Sequence, residues 1–314
     1  MRQASRYVLL VTLLGVAAPL FFIGGPGYHA SRSYKAIWDL GHILYFTLAG
    51  IGLAGMLAGR AKECSLGKVF LQVFIVVFLA GSAIELLQSF FVHRSSSYMD
   101  LLRDLVGAVL GFILFFSCRN WFSGWRRRIL TGGILLILLP FLWPAVRALL
   151  DERVAVSQFP ILSDFETRFE LRRWNHIDQL AWVNDPVRHG EHAMRVQLTT
   201  KKYSGTRLFY FPSDWSEYSW LNFSVYKKDG EPMELHGRVH DQLHKELGRA
   251  YTDRFNTRFF VKNGWNDFRI SLRDVQQAPA TREMDMHKIE GFAIFVISQP
   301  RPRVLYLDNV YLSK

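Results

Sequence analysis

The sequence predicts an α-helical membrane bundle of about five transmembrane helices, followed by an all-β jelly-roll sandwich. Three observations carry this. Long apolar runs with few charges fill residues 1–150, and each is about long enough for a hydrocarbon core of roughly 30 Å. From about residue 157 the pattern changes to short alternating runs separated by turn residues. Charge divides at the same place: residues 1–150 hold 14 basic and 5 acidic residues, residues 151–314 hold 24 and 22. Most of the formal net charge of +11 therefore lies in the apolar half, as it does in the loops of membrane proteins. A charged fraction of 21% excludes disorder, and two cysteines exclude a disulfide scaffold. The near balance of the second half speaks against nucleic acid.

The predicted spans are residues 7–23, 37–58, 67–91, 98–117 and 129–146. The first ends in Gly24-Gly25-Pro26-Gly27. It follows Arg2 and Arg6, but no small-residue cleavage site follows it, so it reads as a retained anchor. The positive-inside rule puts the N-terminus in the cytoplasm, with Arg2, Arg6, Arg60, Lys62, Lys68, Arg119, Arg126, Arg127 and Arg128 inside. Only Arg32, Lys35 and Arg94 fall in the first two outer loops. Five spans then place everything after Val146 outside, and Cys64 and Cys118 on the reducing side. The expected domains are 1–150 and 155–314, joined by a short charged hinge at Asp151, Glu152 and Arg153.

Acids are scarce in the first half, so their positions are informative. Glu63 belongs to a cytoplasmic loop, whereas Asp39, Glu85, Asp100 and Asp104 lie in or beside spans. A charge there costs about 3 kcal/mol or more at mid-bilayer. Asp39 and His42 are one helical turn apart, as are Glu85 and Gln88. His93 and Arg94 follow in a short outer loop, and Asp100, Asp104, Gly107 and Gly111 recur on one helical face. The two glycines form a G-x-x-x-G that permits close helix packing. Three helix ends thus bring Asp39, His42, Glu85, Gln88, Arg94, Asp100 and Asp104 toward one outward-facing pocket. The bland alternative is neutralisation of Asp100 and Asp104 by Arg94 and Arg103 near the interface. His42 with the three carboxylates is also a candidate divalent-metal group, although no compact ligand motif accompanies it.

The string Glu85-x-x-Gln88, Arg94, Asp100-Leu-Leu-x-Asp104-x-x-Gly107-x-x-x-Gly111 resembles the VanZ-like membrane protein family. Asp39 and His42 look like that family's N-terminal Asp and His, and the resemblance covers residues 35–117. This chain departs from it at Leu40, where the family has Lys, and at Val92-His93, where it has Pro-Gly. Asp104 stands where the family has Asn and adds an acid to the pocket. The resemblance implies a cell-envelope protein of the bacterial cytoplasmic (inner) membrane, with a namesake linked to glycopeptide resistance. It implies no reaction.

In the second half, alternating runs lie at 193–198, 207–211, 221–226, 235–240, 258–261, 267–272, 292–297 and 304–312. Turn pairs such as Asp229-Gly230 and Asn263-Gly264 separate them. An acidic opening at 162–167 and a closing strand bearing Asp308 resemble carbohydrate-binding-module and galactose-binding-like jelly rolls. In such folds the termini pair, and acids there often hold a structural calcium. The resemblance makes Asp164, Glu166 and Asp308 candidate calcium ligands, or else solvated strand-end acids. His236, Arg238 and His240 alternate onto one face of their strand, and Arg254, Asn256 and Arg258 share a face of theirs. If those strands pair, the sheet presents a basic polar face suited to glycan. Trp174 and Trp182, in a polar loop-like stretch, are candidate sugar-stacking residues, whereas Trp220 and Trp265 read as core.

The leading expectation is an envelope protein whose periplasmic or outer β-sandwich binds an anionic or neutral glycan. Its membrane pocket would engage a lipid or lipid-linked saccharide headgroup. The alternative is a membrane-embedded enzyme with Glu85, Asp100 or Asp104 in acid/base catalysis, Arg94 and His42 holding an anionic substrate. A third is a scaffold that recruits cell-wall machinery through the β domain.

Overall fold

The computed structural model describes residues 2–60, 65–90, 97–119, 124–176 and 179–314. They form two compact units, Met1–Ala148 and Leu149–Lys314.

In the first unit the helices are α1 (Arg2–Ala17), α2 (Arg32–Arg60), α3 (Leu66–Gln88), α4 (Tyr98–Cys118) and α5 (Gly124–Gln158). Helices α2 to α5 are long and apolar enough to cross a membrane. The apolar helical stretch at the N-terminus is shorter, Val8–Phe21. Pro19 ends α1 by removing an N–H and crowding the carbonyl four residues back, and the chain tightens into a 3-10 turn over Ala18–Phe21. Helix α3 buries Val69, Val73, Val77, Gly81, Glu85 and Gln88, a single stripe recurring every three or four residues. That stripe aims Glu85 and Gln88 inward. Helices α2 and α4 touch backbone to backbone at Gly50, Gly107 and Gly111. A Cβ at Gly107 would lie 2.6 Å from the Ile43 carbonyl oxygen, and one at Gly111 would strike that of Thr47. The G-x-x-x-G reading is thereby realised as an α2–α4 seam. Phe46, Phe112 and Phe116 fill the core beside it.

Helix α5 continues through Asp151, Glu152 and Arg153, so the expected charged hinge is helical instead. The cause is tertiary. Asp151 is buried and paired with the fully buried Arg173, whose Nε lies 3.0 Å and Nη2 2.9 Å from Asp151 Oδ1. Arg173 Nη1 also donates to the Leu162 carbonyl at 2.8 Å.

The second unit has ten strands: β1 (Ile161–Ser163), β2 (Leu180–Val183), β3 (Ala193–Leu198), β4 (Tyr203–Leu208), β5 (Trp220–Lys227), β6 (Met233–Asp241), β7 (Phe255–Val261), β8 (Gly264–Ser271), β9 (Ile289–Ile297) and β10 (Arg303–Ser313). A six-stranded sheet runs β2-β3-β10-β5-β8, with β1 also beside β10, and a four-stranded sheet runs β4-β9-β6-β7. The first and last strands pair, Ile161 opposite Tyr311. Alternation buries Leu221, Phe223 and Val225 from one sheet against Leu235, Val239, Phe292 and Ile294 from the other. Strand β1 lies at the start of the expected acidic opening, and β2, four residues long, was not expected. Trp220 and Trp265, expected in the core, stand half-buried on the outward face of the six-stranded sheet, Trp220 beneath the Arg269 guanidinium at 3.7 Å.

Candidate functional site

The polar residues of the helical unit divide into two groups. In the first, His42 Nδ1 of α2 lies 2.8 Å from Asp104 Oδ1 of α4, and Asp104 is fully buried. Gly81 of α3 makes room for that carboxylate, since a Cβ there would lie 2.6 Å from Asp104 Oδ2. Glu85, one turn further along the same stripe, accepts the Ser97 backbone N–H at 2.6 Å and so caps the start of α4. Among the described residues, Asp104 Oδ2 and Glu85 Oε1 are buried without a hydrogen-bond partner. Buried carboxylate oxygens without partners are costly in a fold and are found where a ligand or proton supplies the missing partner.

The second group is Asp39, Asp100 and Arg103. Arg103 Nη2 lies 3.2 Å from Asp39 Oδ2, and its Nη1 pairs with Asp100 one turn earlier on α4. Arg103, which reads from sequence as a flank, therefore neutralises two acids expected in the pocket. Asp39 and Asp100 thus meet the pocket through an ion-pair cluster with Arg103. Arg94 lies outside the described residues.

Gln88 donates its Nε2–H to the Phe21 carbonyl at 2.8 Å, tying α3 to the 3-10 turn. Next to it opens a cavity of about 410 Å³. Leu13, Leu14, Trp38 and Tyr45 line it, and His42 and Gln88 supply its polar edge. An apolar cavity with a polar His42 and Gln88 edge has the polarity profile of an amphiphile.

In the β domain, β6 and β7 pair with His236 opposite Arg258 and Arg238 opposite Asn256. The expected basic face is thus formed, on the outward side of the four-stranded sheet. The register adds β9 and β4 to it. Ala293 stands between Arg238 and Arg207, and Phe295 between His236 and Gly205. Tyr203 is 61% exposed and Phe260 is 67% exposed at one end of this face. Arg207, Phe295 and Tyr203 were not singled out from the sequence. The period-2 pattern that puts Tyr203, Gly205 and Arg207 on one side of β4 was the available signal.

Two candidate glycan residues change role. His240 is 3% exposed, and its ring lies against the place where a Gly291 side chain would stand. Burial, then Arg238, Arg207, His244 and Arg254, push its imidazole down to about 2. It is a neutral floor to the face instead of a contact residue. Trp174 is 3% exposed and donates its Nε1–H to Ser163 Oγ at 3.1 Å, so it belongs to the core. Trp182 sits on the edge strand β2, with one ring face stacked on His192 at 3.7 Å and its Nε1–H given to the Phe165 carbonyl.

The candidate calcium ligands each accept backbone N–H groups. Asp308 is fully buried, and burial raises its carboxyl. Its Oδ2 accepts the Arg188 and His189 N–H groups at 2.7 and 3.0 Å, and its Oδ1 that of Asn309. Glu166 Oε1 accepts the N–H groups of Glu191 and His192, and Asp164 Oδ1 accepts that of Glu166. Calcium takes six to eight oxygens. Among the described residues no group of three His, Cys, Asp or Glu side chains is placed to hold a metal, the His42 group included. These acids fasten backbone loops.

Residues 6–121 match the VanZ/LLP1 family, so the chain carries a VanZ-like domain. No curated protein matches the chain. Among solved structures it is similar to the family 11 carbohydrate-binding module from Clostridium thermocellum in complex with a β-1,3-1,4-mixed-linked tetrasaccharide. The identity is 16%, over 49% of this chain and 94% of that one, with a TM-score of 0.37. It is also similar to a family 30 carbohydrate-binding module of a cellulosomal cellulase of C. thermocellum, at 14% identity over 44% and 83%, TM-score 0.34. An exo-β-agarase matches at 13% identity over 43% of this chain and 22% of its own, TM-score 0.33.

Proposed function

We propose that this chain is an inner-membrane envelope protein whose extracytoplasmic β-sandwich binds glycan, and whose helical pocket engages a lipid or lipid-linked headgroup. The observation that carries the glycan reading is the outward face of the four-stranded sheet. It joins exposed aromatic rings to arginine and amide groups in one register. Aromatic faces suit the C–H faces of sugar rings, and arginine forks suit their polar substituents. The orientation rests on the excess of basic residues in the predicted cytoplasmic loops. The full chain, purified in detergent, is expected to retain members of a broad glycan array or cell-wall fragments. A blank result in both would refute the glycan reading.

The headgroup reading rests on an apolar cavity edged by His42 and Gln88, with His42 bonded to the buried Asp104, in helices long enough to span a bilayer. Native mass spectrometry of the purified chain is expected to show a retained lipid that is lost in Asp104→Asn. Equal lipid retention in the two proteins would contradict this.

A second reading has one observation in its favour. His42 held by a buried carboxylate, with Glu85 near, is an arrangement that can move a proton during modification of an envelope lipid or glycan. Glu85→Gln keeps the shape and removes the charge. An unchanged lipid and glycan profile in that mutant would sink the enzymatic reading.

A further inference from the structure

The cavity beside Gln88 has a shape as well as a polarity. Its walls come from α1, the 3-10 turn that follows it, and α2, with Gln88 reaching in from α3. The α2 wall runs from Tyr34 to Leu48, about 21 Å at the helical rise of 1.5 Å per residue. Past Leu48 the two helices close, since a Cβ at Gly52 would lie 2.8 Å from Leu10 Cδ2. Phe21 packs edge-on against His42 and Tyr45, with ring centroids 4.9 and 4.8 Å apart. A volume of about 410 Å³ over that length gives a mean cross-section of about 20 Å². At roughly 30 Å³ for a group the size of a water molecule, the slot holds about 14 such groups in file. That is the space of one hydrocarbon chain.

Leu13, Leu20, Ile37 and Leu44 both line the slot and stand exposed on the helical surface. The slot therefore opens sideways, onto the face that lipid covers in a bundle of spanning helices. Its polar groups sit part-way along the wall. Asp104 Oδ1 holds His42 Nδ1 at 2.8 Å, which leaves Nε2 as the ring nitrogen for a ligand. Gln88 gives one Nε2–H to the Phe21 carbonyl and keeps an amide oxygen and a second N–H. Toward the start of α2, the Tyr34 and Trp38 rings meet edge-to-face at 6.2 Å. Tyr and Trp of this kind settle where hydrocarbon gives way to headgroups, so the Tyr34 end is the interfacial one.

We propose, resting on the headgroup reading above, that this slot takes a lipid with a single hydrocarbon chain and a small oxygen head. The chain lies between α1 and α2, and the head oxygen meets His42 Nε2. A two-chain phospholipid needs about twice the cross-section. A wholly apolar molecule would cover His42 and Gln88 and give them no hydrogen bond in return, which is unfavourable.

Photo-crosslinking of the full chain in nanodiscs of two-chain phosphatidylcholine tests this, because a detergent would itself supply a single chain. Three diazirine probes with the same chain are compared: hexadecanol, palmitic acid and dipalmitoyl phosphatidylcholine. Label from the alcohol or the acid is expected to concentrate on residues 8–21 and 34–48, at least about tenfold above α5. Gly41 lines the slot and a Cβ there meets nothing within 4 Å, so Gly41→Leu should fill the slot and remove most of that label. Leu13→Trp fills it from the α1 side and should do the same, whereas Gly133→Leu on α5 should leave the label in place. Labelling by the alcohol alone assigns a hydroxyl head, and labelling by the acid alone a carboxylate; either keeps the proposal. If the two-chain probe labels the slot as strongly as the others, and Gly41→Leu removes that label, the single-chain inference is overturned and the headgroup reading stands. Label spread evenly over α1 to α5 from every probe, and unchanged in Gly41→Leu and Leu13→Trp, would remove both. Thermal melts of each variant separate a filled slot from a lost fold.

Discussion

Asp151 and Arg173 offer the sharpest test of what holds the second unit together. Arg173 is fully buried, and Asp151 supplies the charge that faces its Nε and Nη2. In Asp151→Ala the guanidinium keeps the Leu162 carbonyl and, as its remaining charged partner among the described residues, only the more distant Glu170 carboxylate at 3.8 Å. Removing one partner of a buried ion pair costs about 3–5 kcal/mol, because the remaining charge stays desolvated. For a unit of this size each kcal/mol moves the melting temperature by about 2–4 °C, so a fall of roughly 10 °C is expected. Near-ultraviolet circular dichroism of the full chain in detergent follows this unit through its buried tryptophans. The triple variant Asp151→Leu, Glu170→Gln and Arg173→Met should recover part of the loss, since apolar replacement of a buried ion pair is often neutral once no carboxylate is left facing it. A fall below about 2 °C in Asp151→Ala would refute the argument.

Other consequences follow from the same contacts. His240 is kept neutral in the fold while the unfolded chain takes up a proton below its ordinary value near 6.5. Stability of the β domain should therefore fall as pH drops below 6.5, by about 2 kcal/mol at pH 5 on this group's account, and His240→Gln should flatten that fall in pH-dependent melts. Arg282 pairs with Asp253 and Asp241, and it is the main cause holding the Asp253 carboxyl below its ordinary value. That contribution is present above about pH 4 and lost as pH falls. Arg282→Met should thus cost more melting temperature at pH 7 than at pH 3. Gly107→Val would drive a side chain into the Ile43 carbonyl, and overpacking of this kind costs about 1–3 kcal/mol. Detergent melts followed by far-ultraviolet circular dichroism should register it, whereas the same change at Gly133, with open space around it, should be milder.

Much of the architecture is legible because it rests on local periodicity. Apolar runs marked α2, α3 and α4 to within a few residues, and alternation marked seven strands, while the run at 207–211 only overlaps the end of β4 at Tyr203–Leu208. Strand β2 escaped because four residues hold too little alternation to stand out. The helical path through Asp151 depends on Arg173, twenty-two residues away, and composition alone reads three charges as a hinge. In the pocket, helical spacing placed Asp104, Glu85 and Gln88 on inward faces. Only the α2–α4 contact shows that Arg103 pairs with both Asp39 and Asp100. In the β domain the faces of β6 and β7 follow from alternation. Arg207 and Phe295 join them through the order β4-β9-β6-β7, which sequence neighbours do not announce. Trp174 looked like a loop residue because its polar neighbours hid the single bridge it makes to Leu208.

The central claim is that glycan sits on the outward face of the four-stranded sheet, and hydrogen–deuterium exchange of the full chain, with and without an oligosaccharide that it retains, tests it most directly. Slowed exchange is expected in β4, β6, β7 and β9, strongest around Arg207, Arg238 and Phe295. Protection confined to β2, β3 and the 184–192 loop, with the four-stranded sheet unchanged, would contradict it.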